Sequence, residues 1–224
     1  MPETVSPGEV AHTLTHDHGH ERRAELIEIG EAIVLAFVAI ATAWSGYQTA
    51  RWDGRQAELY SISSKNRALA TQASTRSGQE RLYDNSTFGL WLQAQAQGDT
   101  ADQKLFERRF RLEYRPAFAA WLKLNPFENP KAPPGPMFMP QYRNAAAVQA
   151  AGYNRLANAA FEKGTDARET ADAYLRNTVL LATVLFLTAL AQKFKLRRVR
   201  VGLLVLSGIL LVIGLGFVIA YPRA

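Results

Sequence analysis

The 224-residue chain contains no cysteine. That excludes disulfides, thiol catalysis and thiolate metal sites. It leaves the compartment open, since a cysteine-free chain suits either redox environment. Histidine is nearly as scarce: His12, His16, His18 and His20 all lie in the first 20 residues. The rest of the chain lacks the imidazole that the usual catalytic triads need. It has no Gly-rich phosphate loop either. Proline is concentrated, with six of the ten between residues 125 and 142. Elsewhere little interrupts a helix. These absences predict an all-α, non-enzymatic protein with no cofactor.

The four histidines and Asp17 form a short metal-capable cluster. No cysteine or second cluster would close a tetrahedral site. The expectation is a solvated tail with weak adventitious metal affinity.

What the chain does have is three apolar stretches. A helix needs about 20 apolar residues to cross a hydrocarbon core of roughly 30 Å. Val201 to Tyr221 carries no charge and is the clearest span. Ala173 to Ala191 is the second, provided Arg176 reaches the interface. Ile27 to Tyr47 is the first, with Glu28 and Glu31 in its opening turns. A cleaved signal peptide ending at Ala41-Thr-Ala43 is the competing reading of that stretch. The 26 residues before it are too many for an n-region.

Net charge is +6. Much of the excess sits beside the spans, so topology explains it better than nucleic acid, and no nucleic-acid partner is expected. The loop 192–200 holds Lys193, Lys195, Arg197, Arg198 and Arg200. By the positive-inside rule it is cytoplasmic, together with the tail 1–26. Residues 48–172 and the C-terminal 222–224 are then outside. Trp44, Tyr47, Tyr174 and Tyr221 fall at the outer ends of the spans, as an interfacial aromatic belt would. The Ala and Arg bias points to a bacterium, and so to its cytoplasmic (inner) membrane.

Span one also carries Ala32, Ala36, Ala39, Ala43, Gly46 and Ala50, a heptad seam of small residues. Close backbone approach drives helix association in lipid, so this face should meet another helix. That helix belongs either to this chain or to a second copy in a homo-oligomer. Gly216 and Ala220 of span three form a weaker small-xxx-small pair. Glu28 and Glu31 lie at the depth of the basic loop. They are expected to pair with Lys193, Lys195, Arg197, Arg198 and Arg200 and fix span one against the other two; the alternative is a proton or cation site at the two acids.

Between spans one and two the periodicity predicts an antiparallel helical bundle. Helix one runs on to about residue 82, and a short helix covers 86–97. Gly98-Asp99-Thr100 forms a turn, and a third helix starts near 101, kinked or restarted at Pro116. The Pro-rich stretch 125–142 cannot be regular helix. Its Phe127, Met137, Phe138 and Met139 either cap the bundle or touch lipid or protein. An Ala-rich helix over 143–163 ends at Gly164, and a new helix enters span two. Arg108, Arg111 and Arg115 share one helical face, with Glu107 placed to pair with Arg111 at i, i+4. This basic patch is either a solvated face or a site for anionic headgroups or an acidic partner. Asn85-Ser-Thr87 matches a glycosylation acceptor, a triplet common by chance.

Ala-Ile-Ala-Thr-Ala at 39–43, Thr-Val-Leu-Leu-Ala-Thr-Val-Leu-Phe-Leu-Thr-Ala-Leu at 178–190, Lys-Leu-Arg-Arg at 195–198 and the Gly-rich third span carry a resemblance. The chain resembles an uncharacterised bacterial integral-membrane family with one leading span, a helical outer segment and a closing helix pair. The likeness covers about a third of the chain. It implies no known activity and transfers no functional residue. The expected function is a sensor, scaffold or accessory subunit whose outer bundle binds a ligand or a membrane protein partner. The alternative is a subunit of a small oligomeric channel or transporter.

Overall fold

A computed structural model describes residues 7–194 and 196–223, with side chains from residue 28 on. Every regular element among them is helical: α1 (Pro7–Gln97), α2 (Thr100–Arg109), α3 (Arg115–Leu122), a 3-10 turn (Pro136–Phe138), α4 (Ala145–Ala191) and α5 (Arg197–Ala220). The chain divides into two compact units. The first comprises Met1–Glu58 and Lys163–Ala224, the second Leu59–Glu162. Helices α1, α4 and α5 are each long and apolar enough to cross a membrane.

Two expected helix breaks are absent. α1 runs unbroken past residue 82 to Gln97. Nothing between 83 and 97 removes a backbone donor, and Thr87 Oγ1 bonds back to the carbonyl of Tyr83 at 2.8 Å. α4 likewise passes through Gly164, which is helical and buried and does not terminate it.

The first unit packs α1, α4 and α5. Its apolar core joins Val38 and Ala41 of α1, Leu181 and Val184 of α4, and Leu211 of α5. Glu31, Ser45, Gln48, Asn177, Thr188 and Ser207 are buried as well. Ile33, Phe37, Ile40, Val179, Phe186, Val205, Val212 and Ile219 face outward. In water this distribution would be inverted. In lipid it is the favourable one, because tails solvate large apolar side chains and polar groups must find partners inside.

Asn177 Nδ2 donates to Ser45 Oγ at 3.1 Å, and Thr188 Oγ1 to its own helix at the carbonyl of Val184. The helix approach here is tight. A Cβ on Gly214 would lie 2.8 Å from Leu181 Cδ2 and 3.0 Å from Leu180 Cδ2. Gly214 is thus the packing glycine of span three. Gly216 and Ala220 are exposed.

The intramolecular reading of the small-residue seam is overturned. Ala32, Ala36, Ala39, Ala43, Gly46 and Ala50 are all exposed. The face that packs within the chain is one residue out of phase, through Glu31, Val38, Ser45 and Trp52. Polar groups that lipid cannot satisfy claimed the interior ahead of the small ones.

The second unit has an aromatic core of Phe88, Trp91, Phe110, Tyr114, Phe118 and Trp121. Rings meet edge to face, as in Trp91–Phe118 at 4.9 Å and Phe88–Trp121 at 5.1 Å, the geometry their quadrupoles favour. α1 and α4 adjoin through small residues, Ser63, Ala70, Ala73 and Ser77 on one and Ala146, Ala150, Ala157 and Ala160 on the other. Ser63 Oγ reaches the backbone carbonyl of Ala157 at 2.8 Å.

The Pro-rich stretch is irregular apart from its 3-10 turn. Met137, Met139 and Tyr142 pack on the aromatic core, and Trp121 Nε1 donates to the carbonyl of Pro133 at 2.7 Å. Phe127 sets its ring against Trp91 at 6.4 Å and Trp121 at 5.9 Å while its other side stays exposed, and Phe138 is exposed. The stretch therefore caps the core and leaves Phe138 outward.

Candidate functional site

Gly98 turns the chain with a φ of +72°, and the Asp99 side chain accepts from the backbone N–H of Ala101 and Asp102 at 3.0 Å. That cap starts α2. The helix ends at Arg109, ahead of Pro116, and α3 begins at Arg115 with the proline in its first turn. Of the two expected outcomes at Pro116, a kink or a restart, the structure has the restart: two helices joined by residues 110–114. The break turns Phe110 and Tyr114 together into the aromatic core, 5.0 Å apart.

The same break dissolves the expected basic stripe. Arg108, Arg111 and Arg115 do not share a helical face. Arg111 turns inward, where Nε and an Nη donate to the two oxygens of fully buried Asp84 at 2.9 and 2.7 Å. Glu80 at 3.1 Å and Glu113 at 3.4 Å complete its cage. Tyr142 also donates to Asp84, at 3.0 Å. The hydrogen bond to Asp84 holds Arg111 more firmly protonated than an ordinary arginine. Glu107 does not pair with Arg111; it accepts from Trp91 Nε1 at 3.0 Å. Arg111 is a structural cation.

Arg108 and Arg115 remain at the surface, and a groove of about 850 Å³ runs between α2 and α3. Lys104, Arg108 and Arg115 supply its charge. Phe110, Phe118 and Leu122 supply its apolar wall. The volume lies within the range of small-ligand sites. Arg115 is braced by the carbonyls of Phe110 and Arg108, each at 3.1 Å. Among the described residues none of the three cations has an ion-pair partner; the lining also holds one carboxylate, Glu107, whose hydrogen bond from the neutral Trp91 indole does not cancel its charge, so three cations stand against one anion.

Sequence reasoning missed Lys104. The signal was there at i, i+4 from Arg108, and again in Arg115, Ala119 and Leu122 on one face of α3. Sequence alone leaves open whether Pro116 kinks the helix or restarts it, and so whether these two faces look at each other.

In the first unit, Arg200 Nε donates to Glu31 Oε1 at 2.8 Å, and Glu31 is only 4% exposed. This is one of the expected pairings. Among the described residues Glu28, Lys193, Arg197 and Arg198 form no ion pair, being exposed where water competes. Lys195 and the side chains of His12, His16, His18 and His20 lie outside the described residues.

The other end of the unit is aromatic. Trp52 Nε1 donates to the carbonyl of Pro222 at 3.2 Å, and the Tyr174 hydroxyl to those of Pro222 and Tyr221 at 3.3 and 3.4 Å. These side chains take carbonyls at the end of α5 that have no helical partner. No family model, curated protein or solved structure matches this chain.

Proposed function

We propose that this is a non-enzymatic binding protein of a bacterial cytoplasmic membrane, in which the second unit presents its groove to anionic ligands on the outer side. The observation that carries the reading is the groove itself: three cations without an ion-pair partner, Lys104, Arg108 and Arg115, against a single carboxylate, Glu107, over an apolar wall. Such a site recognises charge at its rim and excludes water at its floor. The orientation rests on the basic residues of 193–200 at one end of the first unit and the aromatic cluster of Trp52, Tyr174 and Tyr221 at the other. A sensor or accessory subunit fits this organisation, as does the family resemblance, which carries no activity with it.

Two measurements test the reading. Single cysteines replacing Lys131 and Lys195, probed on intact cells with an impermeant maleimide, should label at 131 only; the reverse pattern sinks the orientation. The full chain in zwitterionic nanodiscs, titrated with inorganic and organic anions, should bind at least one of them above the empty-disc blank, and Lys104→Gln with Arg108→Gln should weaken it. If no anion binds, the binding role is wrong.

A second reading, a subunit of a small oligomeric channel or transporter, draws support from Asn177 Oδ1 and Ser207 Oγ. Both are buried in the first unit without a hydrogen-bond partner. Absence of ion flux in proteoliposomes would remove it.

A further inference from the structure

The groove has a direction, set by the chain that forms it. α2 and α3 are joined by residues 110–114 at the C-terminal end of one and the N-terminal end of the other. Arg108 and Arg115 therefore stand together at the joined end, where the Arg115 guanidinium donates to the carbonyl of Arg108 at 3.1 Å. Lys104 lies one turn back along α2. Ala101 and Leu122 lie at the far ends of their helices, with Phe118 and Ala119 between. The two arginines thus stand at one end, with Glu107 and Phe110 beside them, Lys104 midway, and Ala119 and Leu122 toward the other.

Resting on the binding role proposed above, we infer that the ligand is a single-chain anionic amphiphile, a medium-length acyl or alkyl chain headed by a carboxylate or phosphate. The head is met by Arg108, Arg115 and Lys104, and the chain lies along Phe118, Ala119 and Leu122. Guanidinium groups suit such heads because they offer paired donors in one plane. Backbone donors at the start of α3 do not contribute, since the N–H groups of Ala117 and Phe118 already bond to the carbonyl of Tyr114 and Pro116 has none.

The dimensions choose among amphiphiles. From Ala101 to Arg108 the helix rises roughly 10 Å. Half of a bilayer's hydrocarbon core is about 15 Å, so a full membrane-lipid chain would overhang. An acidic helix from a partner protein would seat fewer than about two turns along that length, since each turn rises about 5.4 Å.

The test uses the full chain in zwitterionic nanodiscs, with empty discs as the blank. Decyl phosphate, decanoate, inorganic phosphate and decyltrimethylammonium are titrated calorimetrically into wild type, the Lys104→Gln, Arg108→Gln double variant and Ala119→Trp. All three substituted side chains are exposed, so the fold should hold, with unchanged near-UV dichroism as the check. The inference expects decyl phosphate or decanoate to bind wild type, to weaken roughly tenfold or more in the double variant, and to weaken similarly in Ala119→Trp, which fills the apolar end. Inorganic phosphate should bind at least tenfold more weakly than decyl phosphate. Equal affinity for the two phosphates, untouched by Ala119→Trp, would overturn the amphiphile and leave the anion-binding role standing. Decyltrimethylammonium binding as well as decyl phosphate, or no binding by any probe, would overturn both.

Discussion

The two units are built on the same pair of long helices, α1 and α4, yet they bury opposite things. The second unit buries rings and leaves charge outside, apart from Asp84 and the cation that neutralises it. The first buries Glu31, Ser45, Gln48, Asn177, Thr188 and Ser207 and turns Ile, Val and Phe outward. One backbone geometry and one kind of stripe thus carry two solvent codes. In water an apolar stripe drives burial. In lipid that drive vanishes, and polar side chains with nowhere else to go define the inside. A stripe of buried positions marks where a helix packs; the chemistry of the stripe reports the solvent behind it.

The comparison predicts different costs for comparable damage, and the largest belongs to the second unit. Asp84→Ala leaves Arg111 inside without its main counter-charge and removes the acceptor of Tyr142. Breaking a buried pair this way costs about 3–5 kcal/mol. Chemical denaturation of the full chain in nanodiscs, followed by the near-UV signal of Trp91 and Trp121, reads that loss. A change under about 1 kcal/mol would mean that the Glu80 and Glu113 carboxylates alone hold Arg111.

Next comes the tight approach in the first unit. Gly214→Leu puts atoms where Leu180 and Leu181 already are, at 3.0 and 2.8 Å from the first added carbon. Overpacking of this kind costs about 1–3 kcal/mol. Gly216→Leu, on an exposed position of the same helix, should be near neutral. Thermal aggregation midpoints of the two variants compare them directly. Equal shifts would say that α5 packs on a different face.

These contrasts also show what the sequence could reveal. Three long apolar runs and a cysteine-free chain with most of its prolines gathered in one stretch made the all-α class and the candidate spans legible. So was the pairing across the basic loop, for Glu31 and Arg200. The phase of the packed stripe on span one was not. Ala32 through Ala50 and Glu31 through Trp52 both recur at heptad spacing, and composition favours the small set. Only a partner helix decides between stripes one residue apart. The groove was hidden for a similar reason. Pro116 announces a break, but a break displaced to residues 110–114 changes which arginines face out. That displacement is fixed by Asp84, 27 residues away, a contact that no local pattern contains.

A smaller effect is expected from Glu31→Gln. Arg200 lies at the start of α5 and is partly exposed, so its guanidinium can swing to water once the charge pair is gone. Polar contacts between membrane helices are worth about 0.6 kcal/mol on average and up to about 1.7. The variant should therefore lose about 1 kcal/mol in a denaturing-detergent titration, well below Asp84→Ala. A loss as large as that of Asp84→Ala would collapse the distinction between the units.

The smallest effect is the sharpest test of the second unit's core. Tyr114 is fully buried with its hydroxyl unpartnered. Burial raises its pKa above the ordinary tyrosine value of 10.0, and the nearby Asp84 charge adds to the rise. Tyr142 is raised by burial too, and by its hydrogen bond to Asp84. A raised folded-state pKa means the folded chain holds its proton more tightly than the unfolded one. The linked stability is then fully present below about pH 10 and is lost as pH climbs from there toward the folded-state pKa. Tyr114→Phe removes an unsatisfied polar atom, so at neutral pH it should be neutral or slightly stabilising. It should also flatten part of the alkaline decline, leaving the share that belongs to Tyr142. Unfolding midpoints at pH 7 and pH 10.5 for wild type and variant decide it. A variant that is weaker at pH 7 would show that the hydroxyl has a partner, most simply a buried water, and the core is wetter than its rings imply.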